Sequence, residues 1–347
     1  MSPLSAYTYS LPPELIAHTP AEPRESARLF VYDTATDTVT FATIADLPSY
    51  IAGSHLVYND TTVLPARLFA THSDGLAMAL LILVDRGIRD NGEVHAILNR
   101  KKLKVGERIF VADSYFTVLD TRDKGILLRY EAGKEALLAL LSHHGETPLP
   151  PYIETPLSES ERREKYQTMF AKSAPSVAAP TASLHFTPAL MKTLTESRVT
   201  TSPVTLQVGL GTFEPLYDEH FTTQKLHQER YYVPKSSAEA ICYAKHVNRK
   251  IIAVGTTVVR TLESAKEAIL EATEAYADTD IFIYPPYSFT FPDILMTNFH
   301  VPQSSLMCLV EAFIEHKGGT RHITDLYKLA IEARFRFYSF GDAMLIL

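Results

Sequence analysis

Ile251-Ile252-Ala253-Val254-Gly255-Thr256-Thr257-Val258-Val259-Arg260 joins an apolar run to a glycine, two threonines and, one turn later, an arginine. The run predicts a buried strand that ends at Gly255 and a helix that opens on Thr256 and Thr257. At the carboxyl end of a parallel strand, the free N–H groups and dipole of a helix start suit an anion such as a carboxylate. The same threonines also read as plain helix caps. Val208-Gly209-Leu210-Gly211-Thr212-Phe213 places two more glycines after a strand, in a chain that has only 14. Close approach of backbone to a ligand accounts for them, and so does a tight turn.

His185 ends a small, polar, nearly charge-free segment that begins at Ser176 and includes Thr181. His300 follows Asn298 and Phe299, after a stretch carrying Tyr284, Tyr287, Phe289 and Phe291. Two histidines in loops behind sheet strands are suited to proton transfer near neutral pH, though each alone also reads as a satisfied packing group. The rings offer a face to a cation or a flat heterocycle, or simply pack beneath a loop. His220, His227 and Glu229 do not have the spacing of a zinc ligand set, so no metal is expected and an exposed helical turn is. Lys101, Lys102 and Lys104 form a basic strip that is either a solvated loop or a salt-dependent grip on phosphates. Arg334 and Arg336, flanking Phe335, would extend that grip or line the site.

Elements must hold these groups in place. Apolar or alternating runs at 67–71, 76–84, 93–98, 108–111, 115–119 and 126–130, separated by turn residues such as HSDG and KVGE, predict a small β-barrel or sandwich. The proline-rich stretch 142–152 predicts a stiff linker after it. Beyond residue 180, strands at 204–208, 250–254 and 280–284 alternate with helices from Pro188, at 236–247, 258–276, 304–316 and 323–334. Strands at 28–33 and 55–59 precede the barrel. The expected fold class is α/β, a mainly parallel sheet with helical cover plus an inserted small all-β barrel. The discontinuous α/β domain is 1–61 with 150–347, and the insertion is 62–149.

Composition limits the function classes. Over 347 residues, 46% hydrophobic and 21% charged content is that of a globular chain, and a net charge of −7 gives no global attraction for polyanions. The longest apolar run, 76–84, falls far short of the roughly 20 residues of a spanning helix. The first residues lack the basic and apolar regions of a secretory signal, so a cytoplasmic location is expected. Two cysteines cannot build a disulfide framework. Neither G-x-G-x-x-G nor G-x-x-x-x-G-K-[ST] occurs.

Taken together, a series of segments resembles one family. They are LPPELIA (11–17), YNDTTVLPARL (58–68), KKLK (101–104), LPPY (149–152), YQTMFAK (166–172) and SVAAPTASLHFT (176–187). They continue with VTLQVGLGTFEPL (204–216), LHQE (226–229), AVGTTVVRTLES (253–264), TNFHVPQSSL (297–306) and FRFYSFGDAMLI (335–346). In this order they resemble the S-adenosylmethionine:tRNA ribosyltransferase-isomerases of queuosine biosynthesis. The chain departs from them at Pro175, Ser183 and Pro286, where glycine is usual.

The resemblance implies transfer and isomerisation of the ribosyl portion of S-adenosylmethionine, the co-substrate. The acceptor would be 7-aminomethyl-7-deazaguanine at the tRNA wobble position, giving epoxyqueuosine and releasing adenine and methionine. Proton transfer would fall to His185 and His300, with Glu229 and Asp342 in reserve. Gly255, Thr256, Thr257 and Arg260 would take the methionine carboxylate; Asn59, Asp60 and Thr61 would hold ribose hydroxyls or the modified base. Tyr287, Phe299 and Phe213 would face adenine or the sulfonium, with Thr181, Gly209, Gly211, Thr212 and Asn298 completing the site. Lys101, Lys102, Lys104, Arg334 and Arg336 would contact anticodon-stem phosphates. No metal and a monomer are expected. Two alternatives stand beside this: a degenerate member that binds tRNA without reacting, and a transferase for small nucleosides on the same scaffold.

Overall fold

The computed structural model describes residues 3–99, 103–121, 125–209 and 216–347. In chain order its strands are β1 (Arg28–Asp33), β2 (Thr38–Thr43), β3 (His55–Asn59), β4 (Thr61–Val63), β5 (Arg67–His72) and β6 (Ala77–Ile82). There follow β7 (Glu93–Leu98), β8 (Arg108–Val111), β9 (Ser114–Asp120), β10 (Ile126–Tyr130), β11 (Ser173–Ser176) and β12 (Thr200–Leu206). The last are β13 (Lys225–Val233), β14 (Ile251–Val254), β15 (Ala275–Ile281), β16 (Ile294–Asn298) and β17 (Ala343–Ile346).

A nine-stranded sheet runs β15-β13-β12-β3-β14-β16-β17-β1-β2. Its centre, β12-β3-β14-β16, is parallel. Antiparallel pairs on both flanks, broken by the parallel pair β1–β17, make the sheet as a whole mixed. Every residue of β14, β16 and β17 is buried, because helices or loops cover both faces and only continuous apolar runs suit that position.

Strands β5 to β10 close into a barrel in the order β10-β7-β6-β5-β8-β9. Their alternation is that of strands with one face inward, and the interior is filled by Leu68, Leu80, Ile82, Ala96, Ile109, Phe116, Val118 and Leu128. The helix Gly133–His144 packs Leu137 and Leu141 against the same cluster. Strands β4 and β11 pair in parallel beside the barrel, and here the chain is knotted by side chains. Asn59 bonds Leu206 through both ends of its amide, Asp60 accepts from Thr205 and Ser173, and Thr61 bonds Ala174 and Ser176.

Two sequence expectations are corrected. The helix expected over 258–276 is the helix Thr256–Ser264, a short helix Lys266–Leu270 and then the edge strand β15. Ala272 at φ 55° ends the helical stretch, and residues 275–281 pair antiparallel with β13 as an edge strand. The exposed helical turn expected around His227 is instead β13, with Glu229 buried.

Gly145, where the chain leaves the Gly133–His144 helix, has an ordinary φ of −79°. A Cβ there would stand 1.8 Å from the Pro65 carbonyl oxygen, so the requirement is space and not conformation. Gly145→Ala is expected to destabilise the fold by about 1–3 kcal/mol, measured as a lower thermal midpoint.

Candidate active site

A cleft opens where β14 and β16 end, enclosing about 650 Å³ of space that is partly open to solvent. Its walls come from residues 178–182, 255–257 and 297–301, with Tyr152, Val208, Leu306, Tyr338 and Ser339. Ligand clefts form at the carboxyl ends of parallel strands because the following loops diverge there. Gly255 has φ 91° while its N–H bonds the Met296 carbonyl at 2.7 Å, so a residue with a side chain would be strained. It provides no side-chain cap, and the helix Thr256–Ser264 therefore presents its first N–H groups to the cleft.

Two polar atoms on these walls are buried and have no partner among the described residues: Thr257 Oγ1 and Asn298 Nδ2. The Asn298 Oδ1 is held by the Thr181 hydroxyl at 2.8 Å, which fixes the amide and aims its nitrogen. Buried polar atoms are rarely left unpaired, and a ligand is one resolution. His300 lies beside them with Nε2 2.9 Å from Thr297 Oγ1, its N–H bonded to the Tyr327 hydroxyl and its carbonyl accepting from Tyr9. Burial lowers its pKa to about 3, so the ring is neutral at physiological pH.

Other expected residues fall elsewhere. His185 is buried in the tight 181–185 turn and lines a separate small pocket with Arg24; Ser339 is common to both cavities. Burial, then Arg336 and Arg24, push its pKa to about 3, and its Nε2 has no partner among the described residues. Asp342 is occupied with the backbone N–H groups of Arg28 and Arg336 and with the Arg336 guanidinium, which stays partly exposed. Arg334 is exposed at φ 58°, and Lys104 is exposed near Glu107. Asn59, Asp60 and Thr61 do not line the cleft; they form the knot described above. Phe299 is on the cleft wall, with its ring buried against Tyr327 and Phe337, whereas the Tyr287 hydroxyl donates to Glu263 outside the cleft. Lys101, Lys102, Gly211, Thr212 and Phe213 lie outside the described residues.

Arg260 and Glu229 form a buried ion pair next to the cleft, with Glu229 also accepting from the Gly209 N–H at 3.0 Å. Sequence reading missed Tyr152 and Ser339, whose hydroxyls bond at 2.9 Å across the cleft wall. Tyr152 sat in a run dominated by prolines, and the positive φ of Tyr338 that presents Ser339 leaves no sequence signal. Among the described residues, no group of three or more His, Cys, Asp or Glu side chains could hold a metal ion, and no helix is long and apolar enough to cross a membrane.

A sheet with a parallel centre, a closed barrel at its side and a cleft at the strand ends are the frame of an α/β enzyme, and the profile of the queuosine biosynthesis proteins matches residues 4–346 of this chain. The chain belongs to that family. It is 43% identical over 351 residues to the S-adenosylmethionine:tRNA ribosyltransferase-isomerase of Symbiobacterium thermophilum, covering 99% of each chain. Its identity to the enzyme of that name from Thermosipho melanesiensis is 41% over 347 residues, again 99% of each. The crystal structure of S-adenosylmethionine tRNA ribosyltransferase from Thermotoga maritima superposes with a TM-score of 0.55 at 30% identity, covering 99% of this chain and 100% of that one.

Proposed function

We propose that this chain transfers the ribosyl portion of S-adenosylmethionine to the aminomethyl group of 7-aminomethyl-7-deazaguanine at the tRNA wobble position and isomerises it to epoxyqueuosine. Family membership supports the reaction, and one observation ties it to the cleft: the unpartnered Thr257 Oγ1 and Asn298 Nδ2 beside a neutral, immobilised His300. The protein acts as a cytoplasmic monomer without a metal. Its catalytic part is 1–61 with 150–347, and 62–149 is the inserted barrel.

The sulfonium acidifies the adjacent ribose C–H bond. His300, neutral and oriented by Thr297, takes that proton and delivers it to departing adenine. Asn298 and Thr257 bind the nucleoside, and the 255–257 turn with Arg260 receives the methionine carboxylate. His185, reaching the cleft only through the Ser339 wall, has a positioning role. Lys101, Lys102, Lys104 and Arg334 meet the anticodon stem. The intact SVAAPT, GTT and TNFH segments, which supply much of the cleft wall, argue against a degenerate member.

Thr257→Val separates binding from folding. It removes an unsatisfied buried hydroxyl, so the thermal midpoint is expected to hold or rise, while KM for S-adenosylmethionine rises about tenfold. The function itself is tested by mass spectrometry of tRNA bearing the aminomethyl base after incubation with protein and S-adenosylmethionine. Epoxyqueuosine with equimolar adenine and methionine is expected. An unchanged nucleoside with tRNA still bound would favour the non-reacting binder, and loss of both would favour a small-molecule transferase.

A further inference from the structure

Asp85 belongs to the barrel, on the 84–86 turn that follows β6. Its carboxylate reaches out of the barrel to the backbone of the large sheet: a Cβ on Gly209 would stand 2.7 Å from Asp85 Oδ2. Gly209 does not have positive φ, so its conformation does not demand glycine; a side chain there would have to displace the Asp85 carboxylate. The Gly209 N–H bonds Glu229, and Glu229 bonds Arg260. Asp85, Glu229 and Arg260 thus form one cluster where barrel and sheet meet, with His227 Nε2 3.3 Å from Glu229.

The cluster leaves matched capacity unused. Asp85 Oδ1 on one side, and Nε and Nη2 of Arg260 on the other, are buried without partners among the described residues. Arg260 is only 5% exposed, so these nitrogens have no recourse to solvent. Side chains on a helix lean toward its N-terminus, so the Arg260 guanidinium lies toward Thr256, which lines the cleft; Val208, the neighbour of Gly209, lines it too. An orphaned anion and an orphaned cation, linked through Gly209 and Glu229 behind the cleft wall at Val208 and Thr256, complement a zwitterion.

We propose that Asp85, contributed by the inserted barrel, binds the α-ammonium of the methionine part of S-adenosylmethionine while Arg260 binds its α-carboxylate. This rests on the transferase reading and adds a substrate-specificity residue from outside the sheet. Burial pushes the Asp85 carboxyl up to about 6, partly offset by its own N–H and Arg86, as expected for an acid awaiting a cation. The aminomethyl group of the acceptor base is a second source of a primary ammonium, but it has no carboxylate for Arg260.

Calorimetric titration of wild type and Asp85→Asn with three nucleosides tests the assignment. S-Adenosylhomocysteine carries both charged groups, its decarboxylated amine analogue carries the ammonium alone, and 5′-methylthioadenosine carries neither. Asp85→Asn is expected to weaken the first two by about tenfold or more and to leave 5′-methylthioadenosine unchanged, which also shows that the variant is folded. Equal losses for all three, or none for any, would overturn the assignment. So would unchanged binding with turnover lost only on aminomethyl tRNA, which would give Asp85 to the acceptor. Failure of wild type to bind any of the three would overturn the transferase reading beneath it.

Discussion

Glu229→Ala is expected to lose about 3–5 kcal/mol of stability in equilibrium urea unfolding. The carboxylate is 3% exposed and Arg260 is 5% exposed, so removing one partner strands the other's charge in the interior. A buried ion pair differs from its broken half: apolar side chains replacing both partners restore much of what the single change costs. The double variant Glu229→Met with Arg260→Met is therefore expected to be more stable than Glu229→Ala, though inactive if Arg260 holds the substrate. If Glu229→Ala cost less than 1 kcal/mol, the pair would not be buried as described.

Acid adds a second readout. Burial pushes the Glu229 carboxyl up, but Arg260, His227 and the Gly209 N–H together outweigh it and hold the folded pKa at about 2, below the ordinary 4.5. A depressed carboxylate stabilises the fold fully above the unfolded value and loses that contribution as pH falls from there through about 2. Stability of the wild type should therefore fall across that window, and the Glu229→Ala variant should show a flatter acid limb.

The largest effect on activity is expected at His300. Alanine there should lower turnover of S-adenosylmethionine by about a hundredfold or more, the usual size of a general acid–base contribution, and cost about 1–3 kcal/mol of stability by leaving the buried Thr297 hydroxyl unpaired. Thr297→Val, which removes the hydrogen bond at Nε2 but keeps the imidazole, should cost less. Because the folded pKa is lowered to about 3, the ring stays neutral from well below pH 6, and the wild-type rate should show no acidic limb near the ordinary 6.5 of histidine. Full turnover by the alanine variant would remove His300 from the chemistry.

Much of this architecture is written locally. Strands β1 and β3 end where their apolar runs end, and the six barrel strands follow their alternation and turns. Thr187-Pro188 opens a helix as expected, with the Thr187 hydroxyl accepting from the Leu190 N–H. The Gly255–Thr257 turn and the Asn298–His300 segment were legible as a site because each couples a strand end to unusual polar residues. What failed was whatever depends on a distant partner. The helix expected to run to Tyr276 stops at Leu270, and the strand expected at 280–284 forms instead over 275–281, where β13 lies alongside. Asn59, Asp60 and Thr61 look like ligand groups in sequence and are consumed by β11 and β12. Asp85 looks like one more turn residue until Gly209 is seen against it.

The place of β17 between β16 and β1 has a consequence for how the molecule is made. β1 is synthesised early, yet its parallel neighbour begins only at Ala343, so one side of it stays without a partner until β17 has left the ribosome. Pairings this remote in sequence are slow to form, and an unpaired strand invites pairing with another chain. The barrel, whose strands all lie within residues 67–130, has no such wait. It can close while most of the sheet is still untranslated, and a finished barrel would then present Asp85 to a cleft that does not yet exist.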